Sequence, residues 1–253
     1  MSGSDLTGRT ALVTGASRGI GRAVAVGLAA AGADVVLSAR DEALLAEVAA
    51  EVVAHGRRAV VLPADVTDPA ACAQLAADAI SEVGQLDVLV NNAGGSSYMG
   101  PFVDLRWSGW DKTMRLNLDS VVHLTQAVGR HMLARGSGSV VNVASVAGLT
   151  ATPSLAAYGA SKAAVVSLTR TLAMEWGPSG VRVNALCPGW TRTDLNRHLW
   201  QDQDVGGRLV QGTALGRWAD VQEMVGPVVF LAGDASSYLT GQALVVDGGQ
   251  HTG

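Results

Sequence analysis

A doubly wound, parallel α/β sheet of about seven strands, covered by helices on both faces, is the fold that this 253-residue chain predicts. Three observations carry the prediction. Short β-rich apolar runs alternate with longer helical patterns almost from end to end, the signature of strand-crossover-strand units. The runs are continuous in Val and Leu rather than alternating, as expected of strands buried on both faces. No Pro/Ser tract or internal repeat interrupts the rhythm, so residues 1–253 read as a single domain.

The expected strands follow in order: Thr10 to Thr14 (TALVT), Asp34 to Ser38 (DVVLS), Arg58 to Pro63 (RAVVLP) and Leu86 to Asn91 (LDVLVN) come first. Ser139 to Ala144 (SVVNVA), Val181 to Leu186 (VRVNAL) and Ala243 to Asp247 (ALVVD) complete the set. Between them lie helical patterns such as DEALLAEVAAEVVAHG, with an acidic start and a glycine stop. Two stretches break the rhythm: a Gly/Ser-rich then aromatic segment at about 95–109, and a polar one at about 191–216. Both follow strands. In an open α/β sheet the ligand sits beyond the strands' carboxyl ends, so these two loops are the expected substrate wall and lid.

Composition narrows the function classes. The chain is 48% hydrophobic and 16% charged with a net charge of -4, and its cations are scattered, which gives nucleic acid or an anionic membrane no general attraction. Two distant cysteines, Cys72 and Cys187, fit neither a disulfide framework nor a metal site and suit a reducing cytoplasmic setting. The start MSGSDLTGRT lacks a signal-peptide core, and no uncharged run reaches membrane-spanning length.

The first strand runs into TGASRGIG, with glycines at Gly15, Gly19 and Gly21, and then into a helix. That turn lets the backbone approach a pyrophosphate, with Ser17 and Ile20 inside it, and aims a helix N-terminus at the anion. This is the context of a Rossmann-type dinucleotide site. The second strand ends in Ala39, Arg40 and Asp41. Arg18 and Arg40 could grip a 2′-phosphate from two sides, which favours NADP(H) over NAD(H). Alternatively, Arg40 is a solvated residue at the strand end, and Asp41 is a complication unless it opens the next helix. In ADVTD, Asp65 and Val66 would border an adenine, although the string equally suits a helix cap.

YGASK places Tyr158 and Lys162 four residues apart on one helix face, a spacing that many helices show by chance. Taken with TGASRGIG, NNAG (Asn91 to Gly94), Asn117 in RLNLDS, Ser145 in VNVASVAG, and Pro188-Gly189, the chain resembles the short-chain dehydrogenase/reductase family. The likeness spans essentially the whole length and is greatest to its 3-oxoacyl-[acyl-carrier-protein] reductase and sugar or steroid dehydrogenase group. The resemblance implies that Tyr158 is the general acid in ketone reduction and the base in alcohol oxidation. It implies that Lys162 binds the nicotinamide ribose and lowers the Tyr158 pKa, that Ser145 bonds the substrate oxygen, and that Asn117 holds a water in a proton relay. Asn91, Ala93 and Gly94 would border the nucleotide, and Pro188, Gly189, Thr191 and Thr193 would meet the carboxamide. A homotetramer is implied as well.

Working near neutral pH asks Tyr158 for a shift of about three units, roughly 4 kcal/mol. A solvated helix pair supplies only ~0.3–0.5 kcal/mol, whereas two charges about 4 Å apart interact by about 4 kcal/mol at an effective dielectric of about 20. The pair therefore needs a sheltered cleft. Ser145 lacks the G-x-S-x-G elbow of a hydrolase, and the five histidines show no spacing of a metal pair. The leading expectation is an NADP-dependent reductase of a ketone or dehydrogenase of a secondary alcohol. An NAD-dependent alcohol, sugar or steroid dehydrogenase and a non-catalytic nucleotide sensor on the same fold are the alternatives. Trp107, Trp110, Trp190 and Trp200 lie in or beside the loops, either to meet an apolar or ring-bearing ligand or to pack the lid or a subunit contact.

Overall fold

The continuous apolar runs become strands β1 (Thr10–Thr14), β2 (Asp34–Ser38), β3 (Ala59–Val61), β4 (Val88–Asn91), β5 (Gly138–Val143), β6 (Val181–Pro188) and β7 (Ala243–Val246). In this computed structural model, which describes residues 5–96 and 98–250, they form one sheet in the order β3-β2-β1-β4-β5-β6-β7. Every pairing is parallel. The chain winds outward from β1 to one edge and then from β4 to the other, so β1 and β4 flank the topological switch point where ligands bind.

Helices α1 (Gly19–Ala30), α2 (Glu42–Ala54), α3 (Pro69–Val83), α4 (Trp107–Met114), α5 (Ser120–Arg135) and α6 (Ala156–Trp176) are followed by α7 (Arg197–Trp200), α8 (Gln203–Val210) and α9 (Val225–Ala232). Successive strand residues feed opposite faces, as the pleat demands. Val13 and Val35 join Leu28 and Leu231 in one buried cluster, while Leu12 and Val36 join Leu75, Leu124 and Met132 in the other. A third, small-residue cluster of Ala144, Ala185 and Cys187 meets Val165 and Val166 of α6.

Several expected boundaries shift for identifiable reasons. The third strand shortens from Arg58–Pro63 to Ala59–Val61. Leu62 still donates to the Leu37 carbonyl at 3.0 Å, but Pro63 has no N–H to continue the ladder. The fourth begins at Val88 because the Leu86 N–H is taken by His131 Nε2 at 3.3 Å. The fifth covers Gly138–Val143, which leaves Ala144 outside, and the last stops at Val246. β6 runs two residues beyond expectation because β7 pairs alongside Cys187 and Pro188.

The segment expected as a polar loop at about 191–216 is largely helical. Its helices are short and held by caps: Thr193 and Asn196 form a reciprocal capping box, and Asp202 accepts from the N–H groups of Asp204 and Val205, both at 3.0 Å. The segment at 95–109 contains a 3-10 turn (Phe102–Asp104) and the start of α4; Ser97 lies outside the described residues. Among the described residues, no helix is long and apolar enough to cross a membrane, and no group of three His, Cys, Asp or Glu could hold a metal ion.

Candidate active site

The glycine turn between β1 and α1 is built for close approach. Gly15 and Gly19 have φ of +62° and +57°, which L side chains rarely adopt. A Cβ on Gly21 would lie 2.2 Å from the Gly15 carbonyl oxygen, so only glycine fits there. Asn92 staples the turn from β4: its Nδ2 donates to the carbonyls of Thr14 at 2.9 Å and Gly15 at 3.2 Å. Thr14 Oγ1 in turn accepts from the N–H groups of Asn92 and Ala93, at 3.0 and 3.1 Å. Neither Asn92 nor Thr14 stood out in the sequence as a separate site residue, because their bonds cross the switch point between segments 78 residues apart. α1 begins at Gly19 with no side-chain cap on its first turn, which leaves its backbone N–H groups for a ligand anion. Ser17 is buried in the turn, Ile20 opens the helix half-buried, and Arg18 is exposed beside them.

At the adenosine end, Asp41 caps α2 by accepting from the Leu44 N–H at 3.1 Å, which resolves its role as a helix opener. Arg40 and Arg18 are exposed, and neither is ion-paired to a carboxylate within 4 Å among the described residues. Two hydrogen bonds from Thr67 hold the exposed Asp65 carboxyl below its ordinary range, with Arg40 adding a smaller pull; Val66 beside it is buried.

The chemistry-bearing residues meet beyond β4, β5 and β6. Ser145 directly follows β5 and caps the next turn, its Oγ accepting from the Ala147 N–H at 3.1 Å, which leaves its own hydroxyl hydrogen to donate elsewhere. Tyr158 stands on the first turns of α6. Burial pushes its phenol above the ordinary tyrosine value, while a hydrogen bond from Ser145 pulls the other way. Lys162, one turn on, is 3% exposed, with its Nζ 5.7 Å from the Tyr158 ring centroid and 2.8 Å from the Val143 carbonyl that it bonds. Burial lowers its pKa to about 8. The expected acidification of Tyr158 by Lys162 is therefore not the balance of the protein alone: desolvation dominates both groups. Cys187, buried beside them on β6, keeps its proton, its thiol pushed up to about 11 by burial.

Gly94 explains itself only in three dimensions. A Cβ there would lie 2.8 Å from Asn117 Oδ1 and 3.1 Å from Lys162 Nζ, so the chain must pass bare over the ammonium group. Asn117 is fully buried in a π-helical turn (Arg115–Asp119) between α4 and α5. Its Oδ1 accepts from Gly95 N–H at 2.9 Å, and its Nδ2 donates to the Gly95 carbonyl at 2.8 Å and the Thr113 carbonyl at 2.9 Å. Both amide hydrogens are engaged in these bonds, so the side chain anchors the loop after β4.

The segment at about 191–216 reaches both the glycine turn and the loop after β4. Thr193 Cγ2 lies within 3.5 Å of where a Gly19 Cβ would stand, and Leu195 lies 3.3 Å from the corresponding point on Gly95. Pro188 is buried at the end of β6, a Cβ on Gly189 would lie 2.7 Å from Asp247, and Thr191 Oγ1 bonds the Gly189 carbonyl at 3.2 Å. Trp110, Trp190 and Trp200 are partly buried against protein groups, whereas Trp107 is 78% exposed. Trp190 packs against Trp218 at 5.2 Å between centroids, Trp200 Nε1 donates to the Thr193 carbonyl at 3.0 Å, and Trp107 lies parallel to Trp110 at 6.3 Å.

Comparison with known proteins matches this architecture. A family model described as enoyl-(acyl carrier protein) reductase, of the short-chain alcohol dehydrogenase type, matches residues 15–251. The chain belongs to the short-chain dehydrogenase/reductase family. It is 42% identical to a gluconate 5-dehydrogenase of Gluconobacter oxydans over 96% of this chain and 95% of that one. It is 39% identical to a 3-oxoacyl-[acyl-carrier-protein] reductase of Synechocystis, over 96% and 97% respectively. A crystal structure of a gluconate 5-dehydrogenase from Burkholderia cenocepacia, in complex with NADP and tartrate, superposes with a TM-score of 0.94 at 40% identity, covering 99% of this chain and 98% of that one. As a short-chain dehydrogenase/reductase, the chain is an NAD(P)-dependent oxidoreductase that interconverts ketones and secondary alcohols.

Proposed function

We propose that this short-chain dehydrogenase/reductase is an NADP(H)-dependent dehydrogenase of polyhydroxylated carboxylic acids, interconverting a keto-aldonate and its secondary alcohol. The observation that carries the catalytic part is the meeting of Ser145 with Tyr158, and of Tyr158 with Lys162, whose ammonium lies beneath Gly94 at the carboxyl edge of the sheet. The substrate class is supported by gluconate 5-dehydrogenases among the relatives. The choice of NADP is supported by Arg18 and Arg40, two exposed guanidiniums without carboxylate partners, and by the release of Asp41 to a helix cap.

The nicotinamide group, when bound, gives or accepts the hydride. The chain's residues do the rest. In reduction, Tyr158 donates its proton to the carbonyl oxygen, and its raised pKa keeps that proton available at neutral pH. Ser145 donates a hydrogen bond to the same oxygen, turning to it the hydroxyl hydrogen that otherwise meets the Tyr158 phenol. Lys162 holds a positive charge beneath Gly94, where it would bond the nicotinamide ribose and oppose desolvation of the phenolate. Asn117 fixes the loop that roofs the cleft. In oxidation the phenolate of Tyr158 takes the alcohol proton. The reading extends to a cytoplasmic homotetramer, supported by two free buried cysteines and by Met174 of α6, an apolar side chain left 81% exposed.

Turnover tests the proposal. The enzyme should reduce 5-keto-gluconate with NADPH at a higher kcat/KM than β-ketoacyl thioesters, steroids or aryl ketones. NADH should be the poorer donor. A thioester or steroid preference would remove the substrate assignment, and an NADH preference would remove the cofactor assignment.

A further inference from the structure

Helix α6 carries both Tyr158 and Lys162, and its last turns are held by apolar packing, where Ala173 joins the core and the Trp176 ring covers Gly129 of α5. Ala144, Ala185 and Cys187 form a smooth floor of small side chains against Val165 and Val166. Side chains this small give shallow ridges. Polar contacts add to the apolar ones here. Asn91 Nδ2 donates to Asn142 Oδ1 at 2.8 Å, Asn142 Nδ2 donates to Thr169 Oγ1 at 2.9 Å, and Thr169 Oγ1 donates to the Val165 carbonyl at 2.8 Å. Asn91 also donates to Thr125 Oγ1 of α5 at 2.8 Å. Asn142 is fully buried and Thr169 is 1% exposed, so water cannot replace a lost partner.

From Asn91 through Asn142 to Thr169 the donors run the same way, towards α6, an arrangement in which successive bonds polarise one another. Thr169 lies seven residues after Lys162, about two turns and about 10 Å along the same helix face. The helix is thus tied to β5 twice on one stripe, at Thr169 through Asn142 and at Lys162 through the Val143 carbonyl. Two ties on one stripe restrain the tilt of a helix as well as its rotation, which a single tie does not. One tie is Lys162 itself, whose ammonium serves the chemistry, and the other has no such task.

We infer that the Asn142–Thr169 hydrogen bond is a positioning device for the reaction, holding α6 in the rotation that presents Tyr158 to Ser145. Thr169 acts through the helix and touches neither substrate nor nucleotide. The inference rests on the catalytic reading of Tyr158.

Two substitutions separate the hydroxyl from the methyl: Thr169→Val keeps shape and loses the bond, and Thr169→Ser keeps the bond and loses the methyl. In the NADPH-loaded enzyme, Thr169→Val should lower kcat by roughly tenfold to a hundredfold, the scale of a small misplacement. It should move the pH profile of kcat and speed amide hydrogen exchange across Ala156–Lys162, while the KM for NADPH changes little. Thr169→Ser should stay near wild type in each. If Thr169→Val keeps the wild-type kcat and pH profile and only melts earlier, or if Thr169→Ser loses as much as Thr169→Val, the inference is overturned. A Tyr158→Phe enzyme that keeps turnover would instead sink the catalytic reading, and the exchange measurement, which does not depend on chemistry, tells the two failures apart.

Discussion

Lys162 is an expensive residue to keep. Its ammonium is 3% exposed, and burial lowers its pKa from 10.5 to about 8, so at neutral pH the fold carries a charge it disfavours by on the order of 3 kcal/mol. The sign follows from proton counting. Between pH 8 and 10.5 the unfolded chain binds more protons at this site than the native one, so native stability rises with pH across that window and the penalty is complete below it. Lys162→Met removes the titration while keeping length. In protein free of nucleotide, the stability of the Met variant relative to wild type should fall by on the order of 3 kcal/mol as pH rises from 8 to 10.5. The bond lost at the Val143 carbonyl does not titrate and cancels from that slope. Denaturant unfolding at several pH values measures it, and a pH-independent difference would contradict the buried charge. Of all this the sequence shows the Tyr158–Lys162 spacing. It does not show that Lys162 is under Gly94 or beside Cys187, since those contacts join β4, α6 and β6.

At the scale of elements, legibility tracks apolar periodicity. The strands and α1, α2 and α3 are readable because each buries a recurrent stripe or a continuous run. The lid is not readable in this way. α7 and α8 have four and eight residues, and their order comes from the capping box of Thr193 and Asn196, the Asp202 cap and the Trp218 Nε1 bond to the Gly206 carbonyl at 3.1 Å. Such caps look like ordinary polar residues in a string. The tryptophans leave both readings open in the sequence for a related reason, because an aromatic ring in a loop packs its own segment as readily as a substrate. The loop after β4 yields a sharper expectation. Gly94→Ala would place its Cβ 2.8 Å from Asn117 Oδ1 and 3.1 Å from Lys162 Nζ, so one or the other must move. Steady-state kinetics should show a loss of kcat of roughly tenfold to a hundredfold. Wild-type turnover in the alanine variant would show that the ammonium and Asn117 are not held where the structure puts them.

Across the whole molecule the sheet divides the labour. The strands on the β1-β2-β3 side carry the glycine turn, Arg40, Asp65 and Val66, and the strands on the β4-β5-β6 side carry Asn117, Ser145, Tyr158 and Lys162. The order of the motifs along the chain makes this division legible before any coordinates, because each motif follows a strand and the strand order fixes which side it serves. What it conceals is the stapling across the switch point, where Asn92 holds the Thr14–Gly15 turn and Leu195 of the lid reaches Gly95. Nucleotide binding and proton transfer should therefore be separable. The decisive measurement is NADPH-dependent carbonyl reduction by Tyr158→Phe beside direct titration of the same protein with NADPH. The expected result is a loss of kcat of roughly a hundredfold to ten-thousandfold with nucleotide affinity close to wild type, because only the proton donor is gone. A Phe variant that retains most of its kcat would contradict the assignment of Tyr158 as the acid.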